Sequence, residues 1–373
     1  MKKGITLLIL ISVFSLIQIN CARKEKNKEI IYIGTYTKGK SKGIYVFNFD
    51  RKKAELNKLQ TVSIKGSPSF LSIHPNKKNL YAGYETDNYI RSFSIDSNGQ
   101  LSLINKRSSH GDGPCHVSID PQGKYVYVSN YGSGSITVYP LSNKGSLKKA
   151  TEIINHKGSG PNKKRQNAPH MHSIIPSPRG RYIYASDLGI DKIITYQIMR
   201  EADSLKKVAE ENTPPGSGPR HFDFHPSGKF AYSVEELTST ISVYSVNEKN
   251  GQLKRLERKN LLPKNFTGYN KSADIQVSPD GKHVYVSNRG HNSITIFSID
   301  QNKGKIELVE RVDVQGKTPR NLFIDKKGEF VFVANRNSDN ITIFKRVKKT
   351  GQLKFTGKNY QVPAPVCIHQ LIK

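Results

Sequence analysis

Residues 277–300 read VSPDGKHVYVSNRGHNSITIFSID, and this stretch decides the fold. Ser278-Pro279-Asp280-Gly281-Lys282 is a tight turn, because proline presets φ at the second position and glycine supplies the positive φ that follows. The turn separates two runs in which branched or aromatic residues alternate with polar ones, the pattern of half-buried strands. A third run follows as Ser293-Ile294-Thr295-Ile296-Phe297.

The unit repeats along the chain, and self-similarity at such a period is the mark of a repeat architecture. The turn recurs as His74-Pro75-Asn76-Lys77-Lys78, Asp120-Pro121-Gln122-Gly123-Lys124, Ser177-Pro178-Arg179-Gly180-Arg181, His225-Pro226-Ser227-Gly228-Lys229 and Asp325-Lys326-Lys327-Gly328-Glu329. Second positions at Pro75, Pro121, Pro178, Pro226, Pro279 and Lys326 are spaced by 46, 57, 48, 53 and 47 residues. Further third runs stand at Ser135–Tyr139 and Asn340–Phe344, and Asn-Gly turns at Asn98-Gly99 and Asn250-Gly251 lead to a fourth. Four antiparallel strands in about fifty residues make a propeller blade.

Six complete units begin near Ser67, Gly113, His170, Gly218, Ser272 and Thr318. Ala364–Gln370 reads as a first strand without successors. Ile30–Tyr36, Gly43–Asp50 and Leu56–Ile64 read as second, third and fourth strands without a first. Joining the two ends predicts an all-β, seven-bladed β-propeller over residues 30–373, closed by N- and C-terminal strands so that no open edge remains. An open pair of β-sandwiches would leave both end fragments unexplained.

The first 29 residues read differently. Lys2-Lys3 precede an apolar run from Ile5 to Ile19, then Asn20, Cys21 and a charged stretch from Arg23 to Glu29. This is the layout of a secretory leader. A cysteine directly after the apolar run predicts a lipoprotein signal over residues 1–21, lipidated at Cys21, with residues 22–29 as a polar tether. An uncleaved anchor is the competing reading, and both tether the chain to a membrane of the cell envelope. A cytoplasmic location follows only if the leader is not an export signal. Cys115 and Cys367 fall on non-adjacent blades and read as buried free thiols, and three scattered cysteines give no metal-ligand spacing.

The formal charge of +29 comes largely from lysines dispersed through predicted turns. Without a nucleic-acid motif, such a surface points away from nucleic acid and toward anionic small molecules or an anionic envelope surface.

The repeat also predicts a site. Residues just before each first strand and just after each second strand share one face of the disc, opposite the Pro-Gly turns. Six positions before the turn's second residue stand Ser69, Cys115, His172, Arg220, Ala273 and Arg320. Ten positions after it stand Glu85, Tyr131, Leu188, Glu236, Arg289 and Arg336. His172, Arg220, Glu236 and Arg289 therefore gather over blades four to six, counting the closing blade as the first. His116, His170, His221 and His291 lie nearby. Glu236 and Arg289 also fit a purely structural inter-blade ion pair, and Asn130, Asn288 and Asn335 suit turn stabilisation.

At these residues the sequence resembles the seven-bladed lactonase propeller family, which includes bacterial 6-phosphogluconolactonases and fungal carboxy-muconate cyclases. The resemblance runs from about Ile31 to Ile368. It rests on Gly34-Thr35-Tyr36-Thr37, Gly113-Pro114-Cys115-His116, Ser159-Gly160-Pro161-Asn162, Arg165-Gln166, Pro169-His170-Met171-His172, Gly218-Pro219-Arg220-His221, Glu236-Leu237 and Pro365-Val366-Cys367-Ile368. It implies a site needing no metal or cofactor, with His172, Glu236, Arg220 and Arg289 as catalytic residues. His116, His170, His221, Arg320 and Arg336 are the expected substrate-binding set. His172, at an unperturbed near-neutral pKa, would act as general base. The arginines would hold a carboxylate or phosphate and the oxyanion. Glu236 would orient His172 or an arginine, or relay a proton.

The expected activity is hydrolysis of a sugar-acid lactone of the 6-phosphogluconolactonase type. Two alternatives remain: a non-catalytic envelope propeller that binds an anionic sugar or a protein partner, and a muconate-type lactonising cyclase. The oligomeric state is left open.

Overall fold

A computed structural model describes residues 29–37 and 39–372; the leader, Cys21 and most of the tether lie outside the described residues. Seven four-stranded antiparallel sheets follow one another around a central axis. Blade 1 is built from both ends of the chain: Pro365–Ile372 is innermost, followed by Glu29–Thr35, Gly43–Asp50 and Glu55–Ser63. Its closure is antiparallel, with Ile31 opposite Gln370 and Ile33 opposite Ile368. The innermost strands of blades 2 to 7 are Pro68–Ile73, Pro114–Ile119, Met171–Pro176, Pro219–Phe224, Lys271–Val277 and Pro319–Ile324. Among the described residues a single 3-10 turn at Arg336–Ser338 accompanies the strands.

Burial follows position within the blade. Second strands such as Tyr182–Asp187 and Phe330–Asn335 are buried along their whole length, since both faces pack on neighbouring sheets. Fourth strands such as Leu101–Ser108 are largely exposed beyond their first residue. A recurring tyrosine on the second strand fastens one blade to the next. The hydroxyls of Tyr32, Tyr81, Tyr232 and Tyr285 donate to the carbonyls of Gly99, Gly145, Gly304 and Gly351 at 2.7–3.0 Å. Each acceptor is the positive-φ glycine of a hairpin between third and fourth strands, at +84° for Gly99. Cys115 and Cys367 are both buried and free, and Cys367 Sγ accepts a hydrogen bond from the Leu71 amide at 3.3 Å.

Every innermost strand carries a β-bulge near its start. The pairing skips Ser69, Cys115, His172, Arg220 and Arg320, and the corresponding irregularities fall at Ala273–Asp274 and Val366. A bulge leaves its extra residue outside the ladder and re-aims the side chain. The sequence column six places before the turn is thus the column of bulged residues.

Candidate active site

The two predicted columns do share one face. The amides of Glu85, Tyr131, Leu188, Glu236 and Arg336 donate to the carbonyls of Ser67, Gly113, His170, Gly218 and Thr318 at 2.8–3.0 Å. The end of each second strand is thereby pinned to the entrance of its own first strand. The bulges place His172, Arg220 and Arg320 at the mouth of the axis.

Glu236 is the hub. Its Oε1 accepts from Arg165 Nη2 at 2.7 Å, its Oε2 accepts from Arg289 Nη2 at 2.7 Å, and Arg220 Nε lies 3.2 Å from Oε2. Arg289 is held further by the carbonyls of Lys271 and Ser272, both 3.1 Å away. Burial alone would raise the Glu236 carboxyl, but Arg289, Arg220 and Arg165 together hold it well below the usual carboxylate range. Burial, with the charges of Arg289 and Arg320, pushes Arg220 down to about 9, still protonated at neutral pH. Three guanidiniums around one carboxylate leave the pocket net positive.

His172 is 4 % exposed and lies beside this cluster. Its ring meets Tyr131 edge-on at 5.3 Å between centroids and His221 at 5.2 Å, while Cys115 Sγ lies 3.9 Å from Nδ1. Burial and the nearby Arg220 push its pKa well below 6.5, so the imidazole is neutral at physiological pH, unlike the near-neutral value expected from sequence. The Glu236 carboxylate is bonded to arginines, so it orients them and not His172.

The expected binding residues divide into three groups. His170 stacks on Tyr131 at 4.5 Å near the rim. His116 and His221 lie one residue deeper along the axis than Cys115 and Arg220, 5.6 Å apart, with Phe70 against both. Arg320 and Arg336 sit on the Tyr36 ring at 5.2 and 4.9 Å, and among the described residues neither forms a salt bridge. Tyr36 donates to Glu85 Oε2 at 2.9 Å. His291 stays apart, against Phe266 and Ser293.

Arg165, Tyr36 and Asp274 had no assigned place in the site from the column argument. Arg165 comes from the connection between blades 3 and 4, and Gln166 anchors that connection. The Gln166 Nε2 donates to Leu188 O and Asp191 Oδ1 at 2.9 and 2.7 Å. The signal was the 57-residue interval, the longest of the series. Asn130 and Asn288 serve as structure: each Nδ2 donates to the third-strand hydroxyls of its blade, Ser135 with Thr137 and Ser293 with Thr295. Asn335 does likewise with Thr342.

Over residues 30–370 the sequence matches the family described as lactonase, 7-bladed beta-propeller. The chain belongs to that family. A 6-phosphogluconolactonase of Bacillus subtilis is 36% identical over 91% of this chain and 98% of its own length. Another, from Formosa agariphila, is 41% identical over 79% of this chain and 86% of its own. A solved Pseudomonas aeruginosa periplasmic gluconolactonase superposes with a TM-score of 0.87 at 32% identity, covering 92% of this chain and 99% of that one. The protein is accordingly a lactonase, a carboxylic-ester hydrolase of the 6-phosphogluconolactonase type.

Proposed function

We propose that the arginine-rich face at the axis hydrolyses a δ-lactone of a sugar acid whose far end carries an anionic group, with 6-phosphoglucono-δ-lactone as the substrate that suits it best. The observation that carries this reading is that the arginines fall into two groups with different partners, with Arg320 near enough for its charge to act on Arg220 and Arg289. One is the Glu236-centred cluster beside a neutral imidazole. The other is the Arg320–Arg336 pair on Tyr36, which has no carboxylate partner among the described residues.

In this reading neutral His172 removes a proton as water attacks the lactone carbonyl. The developing oxyanion faces Arg220 and Arg289, whose orientation Glu236 fixes beforehand. Collapse of the tetrahedral intermediate breaks the bond to the ring oxygen, which takes the proton back as it becomes a hydroxyl. The products are the open-chain hydroxy acid, as its carboxylate, and one released proton. Arg320 and Arg336 hold the distal phosphate through charge-assisted hydrogen bonds.

The test is acid release from 6-phosphoglucono-δ-lactone above its spontaneous rate. Acceleration that is lost in His172→Ala supports the reading; ligand binding without acceleration would make the propeller a binding module. Arg336→Ala should raise KM for the phosphorylated lactone about 10-fold or more, the worth of one charged hydrogen bond, and leave KM for glucono-δ-lactone unchanged.

A second reading has its own support. The leader and the likeness to a periplasmic gluconolactonase favour an envelope enzyme acting on an unphosphorylated lactone. Higher kcat/KM for glucono-δ-lactone would select it. Labelled palmitate incorporated at Cys21, and lost in Cys21→Ser, would establish the lipoprotein anchor.

A further inference from the structure

Beneath the arginine cluster lies a group that the reaction as written leaves idle. His221 Nδ1 lies 2.6 Å from Asp274 Oδ1, on the neighbouring blade. Asp274 Oδ2 is itself fixed, accepting from Asn321 Nδ2 at 2.5 Å and from the Leu322 amide at 3.1 Å. Because the carboxylate only accepts, His221 Nδ1 carries the hydrogen and Nε2 carries the lone pair. That Nε2 is buried without a partner among the described residues. The rings of His172 and His116 lie 5.2 and 5.6 Å from that of His221 between centres, so both are neighbours of the imidazole that carries this unpartnered nitrogen.

Among the described residues no carboxylate is hydrogen-bonded to His172; its neighbours are Cys115, Tyr131 and His221. A proton on either imidazole would face Arg220 and Arg320, but of the two only His221 has a carboxylate hydrogen-bonded to its ring. The same proton on His221 would be compensated by Asp274. We propose that His221 and Asp274 form a proton-holding dyad for the lactonase reaction, with Asp274 the positioning residue that sets the His221 tautomer. The water O–H bond breaks and a proton enters at His172. His172 passes a proton to His221 Nε2, and the path reverses when the ring oxygen leaves. The proposal rests on lactone hydrolysis at this site, and it adds to it the residue that stores the charge.

Other charges acting on His221 are Arg220 on its own strand, Arg320 and Arg289 from blades 7 and 6, and Glu236. Asp274 further feels Arg220 and His369, and burial raises it to about 6. The kcat profile of the native enzyme should therefore lose activity as pH falls through the region near 6, where the carboxylate is discharged.

Asp274→Asn is the decisive variant. The two donors on the Oδ2 side select the amide oxygen there and turn the amide NH₂ toward His221, which inverts the imidazole tautomer. A tautomer error beneath a catalytic base costs on the order of 10²–10⁴-fold in kcat. The expected result is that loss with KM within about 3-fold of native, and an acid limb near pH 6 that disappears. Native kcat with an unchanged pH profile would overturn the proposal.

Nitrogen-15 NMR of histidine-labelled full-length protein, assigned against His221→Gln, supplies the second arm. His221 should be protonated at Nδ1 in the native protein and at Nε2 in Asp274→Asn. Protonation at Nε2 in the native protein overturns the dyad even if the variant fails to fold. Should no lactone be hydrolysed by the native enzyme, the functional reading falls, and the NMR arm still decides the tautomer.

Discussion

At the residue scale, Glu236 is the side chain on which the site depends. It is buried among three guanidiniums, and removing a partner from a buried ionic cluster leaves charge uncompensated at a cost of about 3–5 kcal/mol. Glu236→Gln keeps the shape and loses the charge, so an unfolding free energy lower by about that magnitude is expected from urea denaturation. Its kinetic signature should be a fall in kcat without a rise in KM, because the pocket becomes more cationic while its arginines lose their anchor. The folded pKa of Glu236 is depressed, so its stabilisation is present above the ordinary carboxylate range and disappears only as pH falls through the depressed value. The gathering of His172, Arg220, Glu236 and Arg289 was legible from position counts alone, since the repeat assigns equal places to equal numbers. The Glu236–Arg289 ion pair was among the readings of those columns, and the structure forms it, but the rest of the bonding was not legible. Glu236 pairs with Arg165, which belongs to no repeat column, and the neutrality of His172 follows from burial that only three dimensions supply.

At the element scale, the turns were readable because each needs particular backbone angles, which Pro and Gly announce. The bulges were not, because a bulge is a relation between two strands and leaves no single residue signature. Yet the bulges aim the site, by taking His172, Arg220 and Arg320 out of the ladder. The connection bearing Arg165 shows the same dependence on support from outside the repeat. Gln166 is fully buried and ties it to Leu188 and Asp191. Gln166→Ala removes these bonds and the one its Oε1 accepts from the Asn162 amide, and should let Arg165 drift from Glu236. A displacement of about 1 Å in a positioning group is worth on the order of 10²-fold in rate, so kcat/KM should drop by about 10–100-fold while far-UV circular dichroism stays native. The inter-blade tyrosines make a simpler test of packing. Tyr232→Phe leaves Gly304 O, buried behind it, without its donor and should cost about 1–3 kcal/mol, read by urea denaturation.

At the scale of the whole molecule, the axis collects ionisable groups in the states that burial prefers. His116, His172 and His221 are held well below 6.5, chiefly by burial, and His369 is lowered to about 4 for the same reason. Burial also raises Asp274 to about 6 and Asp223 to about 7. The two sets oppose each other on acidification. Each imidazole binds a proton in the unfolded chain near pH 6.5 but not in the folded one, so its effect is to weaken the fold as pH falls below 6.5. Each carboxyl is protonated earlier in the folded chain than in the unfolded one, where it titrates near 3.9, so its effect is to strengthen the fold as pH falls through 7 and 6. Below the range in which Asp223 and Asp274 take up their protons, the lowered imidazoles are the axial groups that bind protons in the unfolded chain and not in the folded one. Stability should therefore decline as pH falls through that region. Near pH 6.5 the carboxyl uptake partly cancels the loss and flattens the curve. Urea midpoints taken from about pH 7.5 to 4.5 measure this directly: the midpoint should fall toward the acid end. A flat profile down to the acid end would mean that the axial histidines titrate as they do in the unfolded chain, and their burial would not be lowering their pKa values.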